Sequence, residues 1–266
     1  MAGEQMDERK KKIHEDLSDV LAVLDFAMAA FKTYAVSGPI LGWLGQQPEL
    51  YRQVEEFRST TRLTDLDILR QALYIQIWSA FELSLRSMTT SYLAECCKRG
   101  ADFDSLNKAK IIERNLYHSG VALQQVFDNR SHLDLRFYEI AKNVGTSIPN
   151  SPNVSLNTAA FTLFARGPSV SGIEDALRRL GITNFDWDVL GRVVGIQKIF
   201  GTRGHRETVS QLKLFLTESE KIRNHIVHRG EKIQPVNETD LRQHAAKFEA
   251  VAFGIADHLL TNLNAL

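Results

Sequence analysis

Three residues close to position 225 have the types and spacing to handle a charged substrate: Arg223, Asn224 and His228. Arg223 brings a cation that stays charged at any physiological pH, and His228 an imidazole that titrates around neutrality. Five residues apart on a helix, the two are rotated by roughly 140° and separated by ~7.5 Å along the axis, so they do not share one face. Either the helix frays before His228, which Gly230 favours, or a site gathers pieces from more than one chain. His225 stands three residues before His228, but two histidines without a third ligand nearby make a poor metal site, and no metal or cofactor is expected. The same basic residues also suit a plain helix C-terminus, where they complement the macrodipole by ~0.3–1 kcal/mol.

The elements that must carry these residues read as helices throughout. Residues 8–35 keep Ile13, Leu17, Val20, Leu21, Leu24, Phe26 and Phe31 at helical spacing, which predicts one long amphipathic helix. Gly and Pro break the pattern over 37–49, and a short helix is expected at 50–58. The strongest helix is predicted over 65–98, with Thr64 as N-cap, Asp67 three places on and Gly100 just past its end. Its middle (Leu73, Tyr74, Ile75, Ile77, Trp78, Phe81, Leu83, Leu85) is apolar nearly all round, as a central buried helix should be. Helical patterns also cover 103–117, 121–129 and 133–142, while 144–170 reads as a loop or connector with a short ordered stretch at 159–165. Further helices are expected at 173–180, stopped by Gly181, and at 188–200. Two long ones follow at 207–228 and 238–262. No strand pairing or repeat period emerges, so the expected fold is all-α, with residues 1–266 as a single domain. Trp43, Trp78 and Trp187 sit among apolar neighbours and are expected in the core, whereas the run at 8–12 is a solvated helix start.

Composition narrows the classes of function. The 266 residues are 44% hydrophobic and 24% charged, an ordinary globular balance. With 32 Lys and Arg against 32 Asp and Glu, the chain is no bulk polycation, so any nucleic-acid affinity has to be local. Its two cysteines, Cys96 and Cys97, are adjacent and make no disulfide framework, which favours a reducing, cytoplasmic setting. The N-terminus lacks the apolar core of a signal peptide, and no apolar run approaches the ~18 residues of a membrane span.

The segment LTESEKIRNHIVHRG (216–230) resembles the HEPN superfamily, and within it the RiboL-PSP and related bacterial groups, which end an apolar helix on RN, a short apolar spacer, then H and often G. The likeness extends to IWSAFELSLRSM (77–88), similar to the family's first core helix with its acidic residue at Glu82, and to the long helix after the motif. It covers residues 65–100 and 205–262; the rest is matched only as helical texture. The resemblance implies a HEPN-like up-and-down bundle, with an additional N-terminal helix and a helical or loop insertion. It further implies a homodimer with a composite active site, acting as a metal-independent endoribonuclease in bacterial defence or as a toxin. In such an enzyme the RNA 2′-OH attacks its own phosphodiester, leaving a 2′,3′-cyclic phosphate and a 5′-hydroxyl. His228 then moves the proton, Arg223 stabilises the phosphorane-like charge, and Asn224 orients the phosphate or the imidazole; Glu82 either supports a motif arginine across the bundle or is a helix-surface carboxylate. Two paired motifs would supply two histidines for separate acid and base roles.

RNA is the implied partner, and residues 192–230 are net positive within a neutral chain. The basic turn GTRGHRE (201–207) offers Arg203 and Arg206 as phosphate contacts near the site, although a solvated loop is the plainer reading of that turn, and Arg229 adjoins His228. Gly230 stands where the toxin subgroup with R-x4-H-x-Y has tyrosine, so that subgroup's nucleotidyltransferase antitoxin is not implied; an antitoxin or sensor protein of another kind is. The competing expectation is a catalytically silent HEPN-like module that dimerises and binds RNA, a nucleotide or a protein partner.

Overall fold

The structure, a computed structural model, describes residues 2–35, 52, 63–98, 168–182, 185–229 and 237–265, together with scattered helical positions between 113 and 144. The described residues are all-α, without a strand. Their helices are α1 (Ala2–Ala35), α2 (Leu63–Lys98), α3 (Val170–Arg179), α4 (Trp187–Gly191), α5 (Val194–Phe200), α6 (His205–Arg229) and α7 (Glu238–Asn264). Expected elements at 50–58, 103–142 and 159–165 lie largely or wholly outside the described residues, as does Trp43.

In α1 the buried positions Met6, Ile13, Leu17 and Leu24 recur at helical intervals, with Val20, Leu21 and Met28 packed alongside. The outer face is laced by Lys11–Glu15 (3.6 Å) and Lys12–Asp16 (2.8 Å) pairs. Phe26, expected on the apolar face, points into solvent at 78% exposure, two positions off the Leu24 stripe. Long-range contacts set the direction of α1. Arg9 Nε donates to Ser91 Oγ (3.1 Å), Lys10 reaches Asp257, His14 Nδ1 lies 2.6 Å from Glu249, and Asp25 holds Arg242. As residue number rises along α1 it falls along α7, so the two helices run antiparallel.

Helix α2 is the central element, touching α1, α7 and α6. Its Leu73, Tyr74, Ile77, Trp78, Phe81, Met88, Tyr92 and Leu93 are buried. A narrow strip does reach water, however, at 68, 72, 76, 79, 83, 86 and 90, and Leu83 is 63% exposed rather than enclosed. The helix also starts at Leu63, which puts Thr64 inside the first turn instead of at the cap, and Asp67 pairs with Arg70 (3.3 Å). Against α7, Phe81 stacks on Phe248 at 4.7 Å, Trp78 meets the same ring edge-on at 5.8 Å, and Tyr74 meets His244 at 5.2 Å. These pairs advance together along both helices, so α2 and α7 run parallel.

The stretch expected as one helix over 188–200 is two. The chain leaves helical geometry at Val193 (φ −71°, ψ 114°), and the Gln197 side chain donates to the Gly191 carbonyl (2.8 Å). The start of α6 lies hard against the end of α4, because a Cβ on Gly191 would lie 2.6 Å from the His205 carbonyl oxygen and 2.7 Å from Val209. The chain has to turn there to let α6 start against it. Helix α6 then runs antiparallel to α7, with Phe215 packed on His244 (5.2 Å) and Phe248 (4.8 Å). Among the described residues α1, α2, α6 and α7 thus alternate in direction as an up-and-down bundle, with α3 to α5 packed on α6 and α7.

Candidate functional site

Helix α6 runs unbroken through Arg229, so the fraying considered for His228 does not occur. Ile222 and Ile226 pack against the core and hold the last two turns in helical form. Arg223 and His228 therefore keep the ~140° offset of a regular helix and are not brought together within one chain. Arg223 is half-buried, and its Nη1 donates to Asn224 Oδ1 at 3.0 Å. Among the described residues no carboxylate pairs with it, in contrast to Arg86, Arg178, Arg179 and Arg242, each of which is held by an acid. His228 is exposed, and His225 Nδ1 turns back to the Lys221 carbonyl (3.3 Å).

The turn carrying Arg223 is fixed from α2. The Tyr74 hydroxyl, fully buried, donates to the Ser219 carbonyl at 3.1 Å, the same carbonyl that accepts the Arg223 amide in the i to i−4 pattern of a helix. Burial pushes the Tyr74 hydroxyl upward, so it stays protonated and able to donate. Next to it His244 is enclosed by Tyr74, Phe215 and Phe248, and its Nδ1 lies 2.7 Å from the Asp240 carbonyl. Burial lowers its pKa and favours the neutral ring, whose Nδ1–H then donates to that carbonyl. From the sequence Tyr74 is legible only as a core residue, and His244 is not marked at all. The available signal was a hydroxyl within the most apolar part of α2 and a histidine four residues before Phe248.

Glu82 lies elsewhere. It pairs with Arg86 one turn along its own helix (2.5 Å). From the Tyr74–Ser219 crossing, Glu82 is eight residues along α2 in one direction and Arg223 four along α6 in the other, about 18 Å apart along the bundle axis. A supporting contact from Glu82 to a motif arginine of the same chain is therefore not formed. The basic turn is displaced as well: Arg203 and Arg206 are exposed at the start of α6, and 22 residues of helix place Arg206 about 33 Å from His228. They do not flank the motif in one chain. The side chain of Arg229 is outside the described residues. Arg223 and His228 instead occupy the bundle end where α2 and α7 begin. Ile68 and Val227 are exposed aliphatic side chains there, at 64% and 48%.

Among the described residues no group of three or more His, Cys, Asp or Glu could hold a metal ion, and no helix is long and apolar enough to cross a membrane. Comparison of the chain with protein-family models, curated proteins and solved structures returned no match.

Proposed function

We propose that the chain is a metal-independent endoribonuclease of HEPN type, working as a homodimer in which Arg223 of one protomer and His228 of its mate close on one phosphate. The observation that carries this reading is the state of Arg223. Its guanidinium is steered by Asn224 yet paired with no described carboxylate, so its charge remains available to a phosphate. The exposed imidazole of His228 takes the proton from the ribose 2′-hydroxyl as that oxygen attacks phosphorus. The bond to the 5′-oxygen breaks, the proton passes to the leaving oxygen, and Arg223 stabilises the charge gathered on the non-bridging oxygens. A continuous α6 prevents the two side chains from sharing a face, and a second copy resolves that geometry. Ile68 and Val227 supply apolar surface beside the motif for the mate to cover. The all-α, up-and-down arrangement supports this reading, and a role in bacterial defence or growth arrest follows from the resemblance.

The test is RNA cleavage in a chelator, with product ends identified. Cleavage that resists chelation, leaves 2′,3′-cyclic phosphate, and is lost in His228→Ala and Arg223→Ala supports the assignment. Activity that depends on added metal, or that persists in His228→Ala, overturns it.

A further inference from the structure

A second feature lies away from the motif, where α4, α5 and the start of α6 reach the surface. From Val189 to Arg206 the chain holds no Asp or Glu, yet it carries Arg192, Lys198, Arg203 and Arg206. All four are exposed, and among the described residues no carboxylate pairs with their side chains. Lys247 adds a fifth cation from α7, over the Phe200 ring at 5.3 Å. The carboxylates that flank the stretch are engaged: Asp186 caps α4, Asp188 faces His205 at 3.7 Å, and Glu207 accepts the Arg203 backbone N–H at 3.3 Å. Five cations therefore stand against three carboxylates, in a chain whose net charge is zero.

The same surface is apolar between its charges. Val189, Val193, Val194 and Ile199 are exposed, Val194 to 62%. On α5 the i to i+4 spacing sets Val194 beside Lys198 and Gly195 beside Ile199, while Ile196 and Phe200 turn to the core. The short helix thus shows water a face of aliphatic and basic groups. A Cβ added at Gly195, Gly201 or Gly204 would meet nothing within 4 Å, so these positions are open as well.

We infer that this face rests on an anionic lipid bilayer, with the aliphatic side chains among the headgroups and the cations on lipid phosphates and carboxylates. The two halves of the surface together choose the occupant. RNA would pair with the cations but leave four aliphatic groups without a counterpart. Nor does the stretch offer bases a ring to stack on, since Phe200 is packed on Phe215 at 5.7 Å. A bilayer surface suits both halves: acidic headgroups attract Lys and Arg, and the interface accepts apolar side chains. Contact of this peripheral kind needs no helix long enough to cross. The inference is independent of the nuclease assignment, because Arg206 stands about 33 Å from His228 along α6.

Vesicle flotation of the full-length chain tests it, with vesicles of phosphatidylcholine alone and of phosphatidylcholine and phosphatidylserine in equal parts. The chain should float with the mixed vesicles and not with the neutral ones, and high salt should release it. Lys198→Glu should weaken binding by about fivefold or more, the worth of one basic residue at an anionic surface. Val194→Asp should weaken it by about the same factor through the apolar half. Lys11→Glu, the same charge change on the outer face of α1, should bind like the unaltered chain. All three side chains are exposed, so each variant should keep the unaltered melting temperature. The inference is overturned if the chain does not float with mixed vesicles, if Lys198→Glu and Val194→Asp bind like the unaltered chain, or if Lys11→Glu loses as much as they do. Binding of single-stranded RNA or an acidic polypeptide through these residues, without vesicle binding, overturns it as well.

Discussion

Mixing two inactive variants should restore cleavage. On a continuous α6, Arg223 and His228 are rotated by about 140° and displaced by ~7.5 Å, so the proposed site pairs the arginine of one chain with the histidine of another. Arg223→Ala removes a charge-stabilising group and should cost ~10²–10³ in rate. His228→Ala removes the proton-transfer group and should cost ~10²–10⁴. Co-refolded in equal amounts, half of the dimers are hetero-pairs. In each, the intact arginine of one chain meets the intact histidine of the other, while the second pair is doubly empty. One working pair out of two, in half of the dimers, gives about one quarter of unaltered activity under two-fold symmetry. A site built within one chain leaves the mixture at the level of the single variants, roughly a hundredth or below. A fluorogenic RNA substrate in chelator measures the difference, and native mass spectrometry verifies that hetero-pairs form. A mixture rich in hetero-pairs but no more active than either parent refutes the shared site.

Three further outcomes follow from the packing. Phe248, fully buried against Trp78, Phe81 and Phe215, should cost about 3–5 kcal/mol of stability when changed to Ala, read from urea denaturation. Burial holds the folded-state pKa of His244 below its usual value, and that of His258 likewise, so the unfolded chain takes up protons first on acidification. Stability should therefore fall as pH drops below about 6.5, giving a lower urea midpoint at pH 5.5 than at 7.5, and His244→Phe should shrink that difference. Glu82→Gln should leave RNA cleavage unaltered and change stability by no more than about 0.5 kcal/mol, since it breaks only the pair with Arg86; a large loss of activity would return Glu82 to the site.

Much of the architecture was legible because burial follows helical periodicity. Ile13, Leu17 and Leu24 in α1 and the core of α2 were identifiable from spacing alone, and Trp78 and Trp187 are buried at 3% and 4% exposure. Periodicity is blind to what a helix touches, however. The close approach of the start of α6 to Gly191, beside the break at Val193, is something no local pattern records. Glu82 was open between two roles for a related reason: a carboxylate that reaches across the bundle and one paired with Arg86 look alike in sequence, and the structure shows the pair with Arg86. For the motif, the spacing of Arg223 and His228 already implied separate faces. What the sequence lacked was the packing of Ile222 and Ile226, which removes the frayed alternative. Arg203 and Arg206 adjoin the motif's helix in sequence, yet the 25 residues of α6 hold them at its opposite end.

The bond from Tyr74 to the Ser219 carbonyl has a mechanical consequence. It acts as a pin between two rods, fixing how α6 is turned about its own axis relative to α2. A slip of one residue across that pin would swing the guanidinium by about 100° and advance it by only ~1.5 Å, enough to aim it away from any mate. The aim of the cationic group is thus dictated by a phenol on another helix, 149 positions earlier in the chain.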